Sequence, residues 1–345
     1  MKLAIAAFNL GGPDKPEAVR PFLRNLFRDP AIIQAPGPIR EMLAWLISTT
    51  RAKSARENYA KMGGGSPLLP ETQKQLDALE AELRSRHADL EVKIWPAMRY
   101  WHPFTEDTAR KIEAWQPDRV ILLPLYPQFS TTTTASSLDA WASSTSLQAE
   151  TICCYPTEDA FIDAHVALLR ETLSKVDDLS NTRVMFSAHG LPKKIVDQGD
   201  PYQWQVEQTV AAVVEKMPEI TDHEICYQSR VGPLEWIGPS TDDAIERAGK
   251  ACKNIVLTPI AFVSEHIETL VELDEEYAEL ASEHGVPMYL RVPALGTQPA
   301  FIKSLADMVD TRLNQSYGLA PDTRSRICPR GFGKCRCAIS GSLEA

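Results

Sequence analysis

Short apolar runs alternate with amphipathic segments along most of the chain. The runs are apolar at nearly every position, which is typical of parallel strands buried on both faces. The segments between them repeat apolar residues at helical spacing, so the pattern predicts alternating strands and helices with parallel sheets. The predicted strands are Leu3–Phe8, Val92–Ala97, Arg119–Pro124, Thr151–Cys154, Arg183–Ser187, Ile225–Tyr227, Ile255–Phe262 and Met288–Val292. The predicted helices are Pro70–His87, Thr105–Trp115, Ala160–Val176, Tyr202–Lys216, Thr241–Ala248 and, near the end, Pro299–Tyr317.

The strands form two sets, before and after about residue 150, which predicts an α/β fold with two similar halves. At 345 residues the chain is longer than a usual single domain. We therefore expect an N-terminal domain over residues 1–150 and a second domain over 151–294. A helix at about 295–320 is expected to complete the first domain, and residues 321–340 form a cysteine-rich extension.

The net charge and the lengths of the apolar runs argue against some classes of protein. A net charge of −10 without a basic patch argues against nucleic acid as a partner. We find no secretion signal and no window long enough to span a membrane, so we expect a cytoplasmic protein whose seven cysteines stay reduced. The apolar segment Ala31–Ser48, which includes Trp45, is either a core helix or an exposed edge. The second interpretation predicts peripheral contact with the inner membrane.

The stretch Val263–His284 contains eight acidic residues and neither Lys nor Arg. It is either a solvated helix face or part of a site that binds cations, because like charges one helical turn apart repel each other. It follows the predicted strand Ile255–Phe262, and ligands in open α/β sheets bind beyond the carboxyl ends of strands. This position favours a functional role for His266 and Glu268. The glutamates on one side of a regular helix here are Glu265, Glu268, Glu272 and Glu276.

A second strand end carries a histidine. His189 follows the strand Arg183–Ser187 and precedes a glycine and a proline. Imidazole has a pKa near neutrality, so it suits proton transfer or weak metal contact. A single histidine in such a place is often structural, but two strand ends with His and Glu in the same half favour a catalytic site.

Seven motifs over nearly the whole chain resemble those of ferrochelatases, which insert ferrous iron into a porphyrin at the last step of haem synthesis. The motifs are Asn9-Leu-Gly-Gly-Pro13, Gly64-Gly-Ser-Pro67, Met98-Arg-Tyr-Trp-His-Pro103, Leu123-Pro-Leu-Tyr-Pro-Gln128, Ser187-Ala-His-Gly-Leu-Pro192, Gln228-Ser-Arg-Val-Gly-Pro233 and Ser264-Glu-His-Ile-Glu-Thr-Leu270. The resemblance implies two Rossmann-like, chelatase-like domains with parallel four-stranded sheets and a porphyrin cleft between them. It also implies that His189 and Glu268 are the catalytic pair, that Glu272 and Glu276 continue an acidic line, and that the helix there widens locally into a π-helix.

The chemistry of iron insertion agrees with this resemblance. Metallation releases two pyrrole protons, so the site needs a proton acceptor, and neutral His189 suits that role. The metal must also be bound weakly, because a closed tetrahedral cage would retain it. The predicted ligands of the substrate Fe²⁺ are His189, His266, Glu268, Glu272 and Glu276.

The expected porphyrin is protoporphyrin IX, which is flat and apolar and carries anionic propionates. Arg99 and Arg230 are the candidate propionate partners, because Arg pairs with carboxylates through two hydrogen bonds. Apolar and aromatic side chains are suited to the walls of such a site. The other predicted contacts are Leu10, Tyr100, Trp101, Ser130 and Trp236.

Three cysteines near the C-terminus predict a metal centre. Animal ferrochelatases hold a [2Fe–2S] cluster with a cysteine at the position that matches Thr131. This chain lacks that cysteine but has Cys328, Cys335 and Cys337 within ten residues, a group that needs a fourth ligand. We predict a [2Fe–2S] cluster, with zinc as the alternative metal.

The pair Cys153-Cys154 is the best source of the fourth ligand, as in some bacterial ferrochelatases whose cluster uses a differently placed cysteine. Adjacent strand residues face opposite ways, so only one of the two should bind, and we favour Cys154. Cys226 and Cys252 are expected to be buried thiols.

Other functions stay open at this point. One is a chelatase for another tetrapyrrole or metal, such as coproporphyrin or cobalt. Another is a non-catalytic haem or iron carrier, although a carrier needs a tight axial ligand rather than a line of carboxylates. The chain is expected to be a monomer or a homodimer.

Overall fold

The computed structural model describes residues 1–229, 232, 234–314, 318–320 and 326–339. The strands are β1 Lys2–Asn9, β2 Glu91–Met98, β3 Arg119–Pro124, β4 Glu150–Ile152, β5 Thr182–His189, β6 His223–Gln228, β7 Asn254–Pro259, β8 Tyr289–Arg291 and β9 Leu319–Ala320. The α-helices are α1 Val19–Arg28, α2 Gly37–Lys61, α3 Leu68–Arg86, α4 Thr105–Trp115, α5 Thr134–Ser144, α6 Asp159–Leu173, α7 Lys193–Asp197, α8 Tyr202–Glu215, α9 Thr241–Lys250, α10 Tyr277–Glu283, α11 Pro299–Leu313 and α12 Arg336–Ile339. A short 3₁₀ helix spans Pro16–Ala18, and a π-helix spans Glu268–Glu276.

The strands form two parallel sheets, which confirms the predicted α/β class. The first sheet has the order β2-β1-β3-β4-β9 and the second has the order β6-β5-β7-β8. The second sheet has the expected four strands, but the expectation of four in the first is wrong. A fifth strand, β9, joins it because Leu319 and Ala320 pair in parallel with Thr151 and Ile152.

Contacts divide the chain into two compact units. The first unit comprises Met1–Tyr126, Ser130–Cys153 and Ala306–Ala320, and the second comprises Pro127–Phe129, Cys154–Leu305 and Pro321–Ala345. The domain limits inferred from the sequence, including the role of the last long helix, stay a prediction.

Each unit has its own apolar core. In the first, Ala4, Ala6 and Phe8 of β1 pack against Trp141. In the second, Leu257 of β7 packs in a cluster with residues of the π-helix and of α10. Because each fully buried large apolar side chain stabilises a fold by roughly 1.5–3 kcal/mol, these clusters hold the strand ends in place.

Several helices of the described residues lie outside the predicted ones, among them α1, α5, α7 and α12, and α2 extends well beyond the segment for which a helix was considered. Helix α5 begins in a Thr-rich run, and Ser and Thr favour turns because their hydroxyls compete for backbone hydrogen bonds. Helix α2 begins at Gly37 with a proline in its first turn, a position where the missing N–H costs nothing. It includes most of the segment predicted as a core helix or an exposed edge.

Candidate active site and cysteine cluster

His189 is the last residue of β5, and its ring is held in one tautomer. The Nδ1 atom lies 2.6 Å from the carbonyl oxygen of Gly190. A carbonyl can only accept, so Nδ1 carries a proton, and in the neutral ring the lone pair is on Nε2. That Nε2 atom is 3.8 Å from a carboxylate oxygen of Glu268. The two residues of the predicted catalytic pair therefore lie side by side.

Glu268 begins the π-helix and lies between two imidazoles. Its second oxygen, Oε2, is 3.9 Å from Nε2 of His266 and has no hydrogen-bond partner among the described residues. Burial raises the pKa of Glu268 to about 7, with the nearby His189 acting to lower it and the charge of Glu272 acting to raise it. A carboxyl that combines a raised pKa, an oxygen without a hydrogen bond and two neighbouring imidazoles is a candidate for a functional role.

His266 is buried and packs against the ring of Phe262, with centroids 4.4 Å apart. Burial lowers the pKa of His266 to about 4, so its imidazole is neutral at physiological pH. A neutral imidazole can bind a metal ion, which keeps His266 among the candidate iron ligands.

The π-helix at Glu268–Glu276 confirms the local widening that the resemblance implied. Its wider turn changes which glutamates share a side. Glu272 turns to the end of β6 and accepts hydrogen bonds from Ser229 N–H at 3.0 Å, Ser229 Oγ at 2.7 Å and Gln228 Nε2 at 3.2 Å. Tyr277, five residues on, donates a fourth at 3.0 Å. Both oxygens of Glu272 are thus occupied, which does not suit an iron ligand.

Glu276, by contrast, is exposed to solvent. The acidic stretch also has a cation that its own sequence lacks. Arg291 of β8 forms ion pairs with Glu265 at 2.7 Å and with Asp274 at 2.5 Å. Glu265 is therefore a structural residue, and the repulsion in the stretch is partly relieved by a neighbouring strand.

Two aromatic residues lie beside His189. The Trp236 ring is so close to Gly190 that an added Cβ there would lie 3.2 Å from it, so this glycine permits the contact. Burial raises the pKa of the Tyr202 phenol well above its usual range, the charges of Tyr227 and Glu268 raise it further, and a hydrogen bond with the His189 backbone lowers it. Tyr202 was missed as a site residue because its sequence position, at the start of an amphipathic helix, is typical of a core side chain.

In the first unit, Arg99 is engaged by a buried aspartate. Its Nη2 atom is 2.7 Å from Asp29 Oδ2, and its Nε donates to Ser136 Oγ at 2.7 Å. Tyr100 is only 1% exposed and donates to the same Asp29 oxygen at 2.8 Å. Tyr100 therefore does not fit the predicted porphyrin wall, and Asp29 is a residue that the sequence pattern did not reveal.

The remaining predicted porphyrin contacts differ in their surroundings. Trp101 lines an open groove of about 860 Å³ and donates from its indole to Asp14 at 3.0 Å. Leu10 is half-buried, whereas Ser130 is buried and its hydroxyl lies 2.9 Å from that of Thr132. Ser130 therefore fits a structural role better than a porphyrin contact. Arg230 lies outside the described residues.

One glutamine lies beside two of the four cysteines that were predicted to hold a cluster. Cys154, Cys328, Cys335 and Cys337 are all buried. The Nε2 atom of Gln205 is 3.4 Å from Cys154 Sγ and 3.1 Å from Cys328 Sγ. A hydrogen bond with Cys335, together with burial, raises the pKa of Cys328 far above its usual value, while the Gln205 amide acts in the opposite direction.

The other cysteines divide as follows. Cys226 is buried, as expected. Cys252 is exposed, so the expectation of a buried thiol was wrong for this residue. Cys252 lies in a turn after α9, with a φ of 49°. Strand β4 ends at Ile152, so Cys153 and Cys154 lie just beyond it. Cys153 belongs to the first unit and Cys154 to the second.

No three His, Cys, Asp or Glu side chains of the described residues form a group that could hold a single metal ion as they stand. The histidine and glutamate separations of 3.8 and 3.9 Å fit this observation.

Comparison with known proteins identifies the family. The ferrochelatase family model matches residues 2–313. The chain belongs to the ferrochelatase family. A ferrochelatase of Caulobacter vibrioides is 60% identical over 348 residues, with 99% of each chain covered. That of Phenylobacterium zucineum is 56% identical, with 99% of this chain and 100% of the relative covered.

Solved structures support the fold alone. SirB from Bacillus subtilis has a TM-score of 0.52 at 12% identity, covering 91% of this chain and 96% of that one. CbiX, a terminal enzyme of sirohaem biosynthesis in denitrifying bacteria, has a TM-score of 0.51 at 13% identity, covering 92% of this chain and 100% of that one. Membership of the ferrochelatase family confirms the predicted activity, a lyase reaction that inserts Fe²⁺ into a porphyrin in haem synthesis.

Proposed function

We propose that His189 is the base that accepts the pyrrole protons and that Glu268 binds the entering Fe²⁺ and passes the protons on. The observation that carries this proposal is the His189–Glu268 pair, in which Nε2, the basic nitrogen of the neutral ring, lies 3.8 Å from a carboxylate whose other oxygen has no hydrogen bond among the described residues. Both groups are the electron-pair donors that the reaction needs.

The steps follow from the protonation states. A pyrrole N–H transfers its proton to His189 Nε2, and the resulting imidazolium is stabilised by the adjacent carboxylate when Glu268 is ionised. Because the pKa of Glu268 is raised to about 7, the carboxyl can then take a proton near neutral pH and release it. His266, neutral and 3.9 Å from Glu268, is the second candidate ligand of the substrate iron.

The proposed substrate is protoporphyrin IX, contacted by Trp236 beside His189 and by Leu10, Trp101 and Arg99 in the first unit. Support comes from Trp236, whose ring lies against Gly190, and from Trp101 in its open groove. Glu276 stays the exposed candidate for an outer iron ligand. Coproporphyrin with Fe²⁺, and protoporphyrin IX with Co²⁺, are the competing pairs to measure alongside.

The test is anaerobic metallation of protoporphyrin IX, followed by the Soret band. His189→Ala should lower turnover by about 10²–10⁴-fold, the usual contribution of a general base, and leave porphyrin binding intact. His284→Ala, which removes an exposed histidine elsewhere in the second unit, is the matched control and should match the wild type. Turnover of His189→Ala within about tenfold of wild type would remove His189 from this role.

A [2Fe–2S] cluster bound by Cys154, Cys328, Cys335 and Cys337 completes the proposal. The four thiols are buried, and Gln205 contacts two of them. A [2Fe–2S] cluster takes two thiolates at each iron, which matches the number of these cysteines, and zinc bound by the same four thiols is the alternative. When bound, the cluster would supply metal–thiolate bonds that link the C-terminal extension to Cys154.

Purification without oxygen tests the cluster. The protein should be red-brown, with iron and acid-labile sulfide in equal amounts. Cys154→Ser should lose the visible bands, whereas Cys153→Ser should keep them. Stoichiometric zinc without sulfide would contradict the cluster and leave a four-thiolate site.

The proposed location is the cytoplasm, with peripheral contact at the inner membrane through the first part of α2. Among the described residues, no helix combines the length and apolar character needed to cross a membrane. Support for surface contact is the apolar side chains that α2 exposes: Ile39, Met42, Trp45 and Leu46. A monomer or a homodimer is expected.

A further inference from the structure

Gln205 of α8 is fully buried, and its side-chain amide contacts three groups of the second unit. Its Oε1 accepts the backbone N–H of Phe129 at 2.7 Å. Its Nε2 lies 3.4 Å from the sulfur of Cys154 and 3.1 Å from that of Cys328. A single side chain thus joins two cysteines that are far apart in sequence.

The contact with Phe129 fixes which end of the amide faces the sulfurs. A backbone N–H can only donate, so the amide oxygen must point to it. If the amide were reversed, its NH₂ group would face the Phe129 N–H, so two donors would meet. Its oxygen would then face the two sulfurs in place of a donor. The NH₂ group of Gln205 therefore faces the thiols, and it has one hydrogen for each of them.

Neighbouring contacts hold this arrangement in place. Gln128, next to Phe129, donates to Thr209 Oγ at 3.0 Å and to the carbonyl oxygen of Ile260 at 3.3 Å. Thr209 lies one turn after Gln205 and donates to its carbonyl oxygen at 3.0 Å. These contacts fix the backbone on both sides of the Gln205 amide, so the protein itself holds the amide in place.

The extension reaches this site through contacts with the start of the same helix. The Lys334 N–H donates to the carbonyl oxygen of Gly199 at 3.1 Å, and the Phe332 ring lies 5.9 Å from that of Trp204. An added Cβ at Gly199, whose φ is 97°, would lie 3.0 Å from the Gly333 nitrogen, so this glycine permits the approach. The extension is therefore held beside Gln205 by its backbone as well as by its cysteines.

A thiol is a weak hydrogen-bond acceptor, whereas a thiolate bound to iron is a stronger one, so a directed N–H donor at each sulfur suits the metal-bound state. We propose that Gln205 positions Cys154 and Cys328 for the cluster and donates hydrogen bonds to their sulfurs once the cluster is bound. This inference rests on the cluster proposed above. Hydrogen bonds to cluster sulfurs raise the reduction potential because they stabilise the more negative, reduced state.

The experiment compares anaerobically purified full-length variants. Gln205→Met keeps the length of the side chain and removes both donors, while Gln205→Glu replaces the NH₂ group with a second carboxylate oxygen. Gln208→Met, on the same helix but only half-buried, is the matched control. Iron and sulfide content, midpoint potential and the rate of bleaching by a chelator are measured for each, with circular dichroism to check folding.

We expect Gln205→Met to have a lower midpoint potential than wild type and to lose its cluster to chelator about 10–100-fold more readily, the usual effect of removing an outer-shell partner. Gln205→Glu should show a larger fall in potential, and Gln208→Met none. Folded Gln205 variants with wild-type potential and bleaching rate would overturn the inference while the cluster stands. Wild-type protein without acid-labile sulfide would instead overturn the cluster itself, which separates the two failures.

Discussion

Glu272 accepts hydrogen bonds from both the backbone N–H and the hydroxyl of Ser229, at 3.0 and 2.7 Å. Ser229 has a φ of 63°, a left-handed conformation that costs free energy in a residue other than glycine. The pair joins the end of β6 to the π-helix that begins with Glu268. Gln228, the residue before Ser229, also accepts the hydroxyl of Ser187 at 2.8 Å, two residues before His189. Glu272 thus connects the two strand-end regions that carry the predicted catalytic pair, His189 and Glu268.

This relationship predicts a loss of stability when the connection is removed. Glu272→Gln and Ser229→Ala should each lower the free energy of unfolding by about 1–3 kcal/mol, because each leaves partners unsatisfied. The double variant should lose less than the sum, as expected of residues in contact. Glu279→Gln, an exposed carboxylate on α10, is the control. A rise in the KM for iron without any change in stability would contradict this structural role and support the earlier prediction of an iron ligand.

The raised pKa of Glu268 predicts a stability change that depends on pH. Because the folded-state pKa of about 7 lies above the ordinary value of 4.5, the folded protein holds this proton more tightly, and stability falls as pH rises from about 4.5 through 7. Glu268→Gln removes that penalty, so it should be more stable than wild type by about 1–3 kcal/mol at pH 8.

The gap between Glu268→Gln and wild type should shrink as the pH falls toward 5, and turnover should be strongly reduced at every pH. Chemical denaturation at several pH values, beside initial rates, measures both. A gap that is equal at pH 5 and pH 8, with normal turnover, would fit a solvated glutamate rather than a catalytic one.

Asp29 is predicted to position Arg99 for the porphyrin. Asp29→Asn leaves the guanidinium without its charged partner and should lower the free energy of unfolding by about 1–3 kcal/mol. The freed arginine should raise the KM for porphyrin more than it lowers kcat. Asp77→Asn, which changes an exposed residue of α3 in the same unit, should alter neither quantity. Unchanged kinetics in a destabilised Asp29→Asn would limit this network to a structural role.

The exposed apolar face of α2 is predicted to bind lipid surfaces. Trp45 is 51% exposed, and Trp45→Asp should abolish flotation with liposomes because a charge opposes entry into the interface. Leu179→Asp provides the matched control, since Leu179 is 42% exposed in the second unit and should not affect flotation. Wild-type protein that stays with the soluble fraction, with no change in tryptophan fluorescence, would show the prediction to be wrong.

Most strands could be predicted from the sequence alone, because a strand buried on both faces must be apolar at nearly every position. β3 was predicted to the residue, and α4 likewise. The motifs also indicated the family and placed His189 and Glu268 in one site, since both follow strand ends in the same half. These inferences depend on local pattern, which the linear sequence contains in full.

The tertiary structure decided what local pattern does not contain. The order of strands in each sheet, and the addition of β9, depend on pairings between distant segments whose backbone hydrogen bonds are alike in any order. Two contacts could not be predicted for the same reason, because each joins residues that are far apart in sequence. Arg291 lies on β8 and neutralises part of the acidic stretch, and the Gln205 amide lies between two distant cysteines. The partners of a side chain depend on the positions of the other elements of the fold. The tertiary position of β6 therefore determines the acceptor role of Glu272, and that of α8 determines the donor role of Gln205.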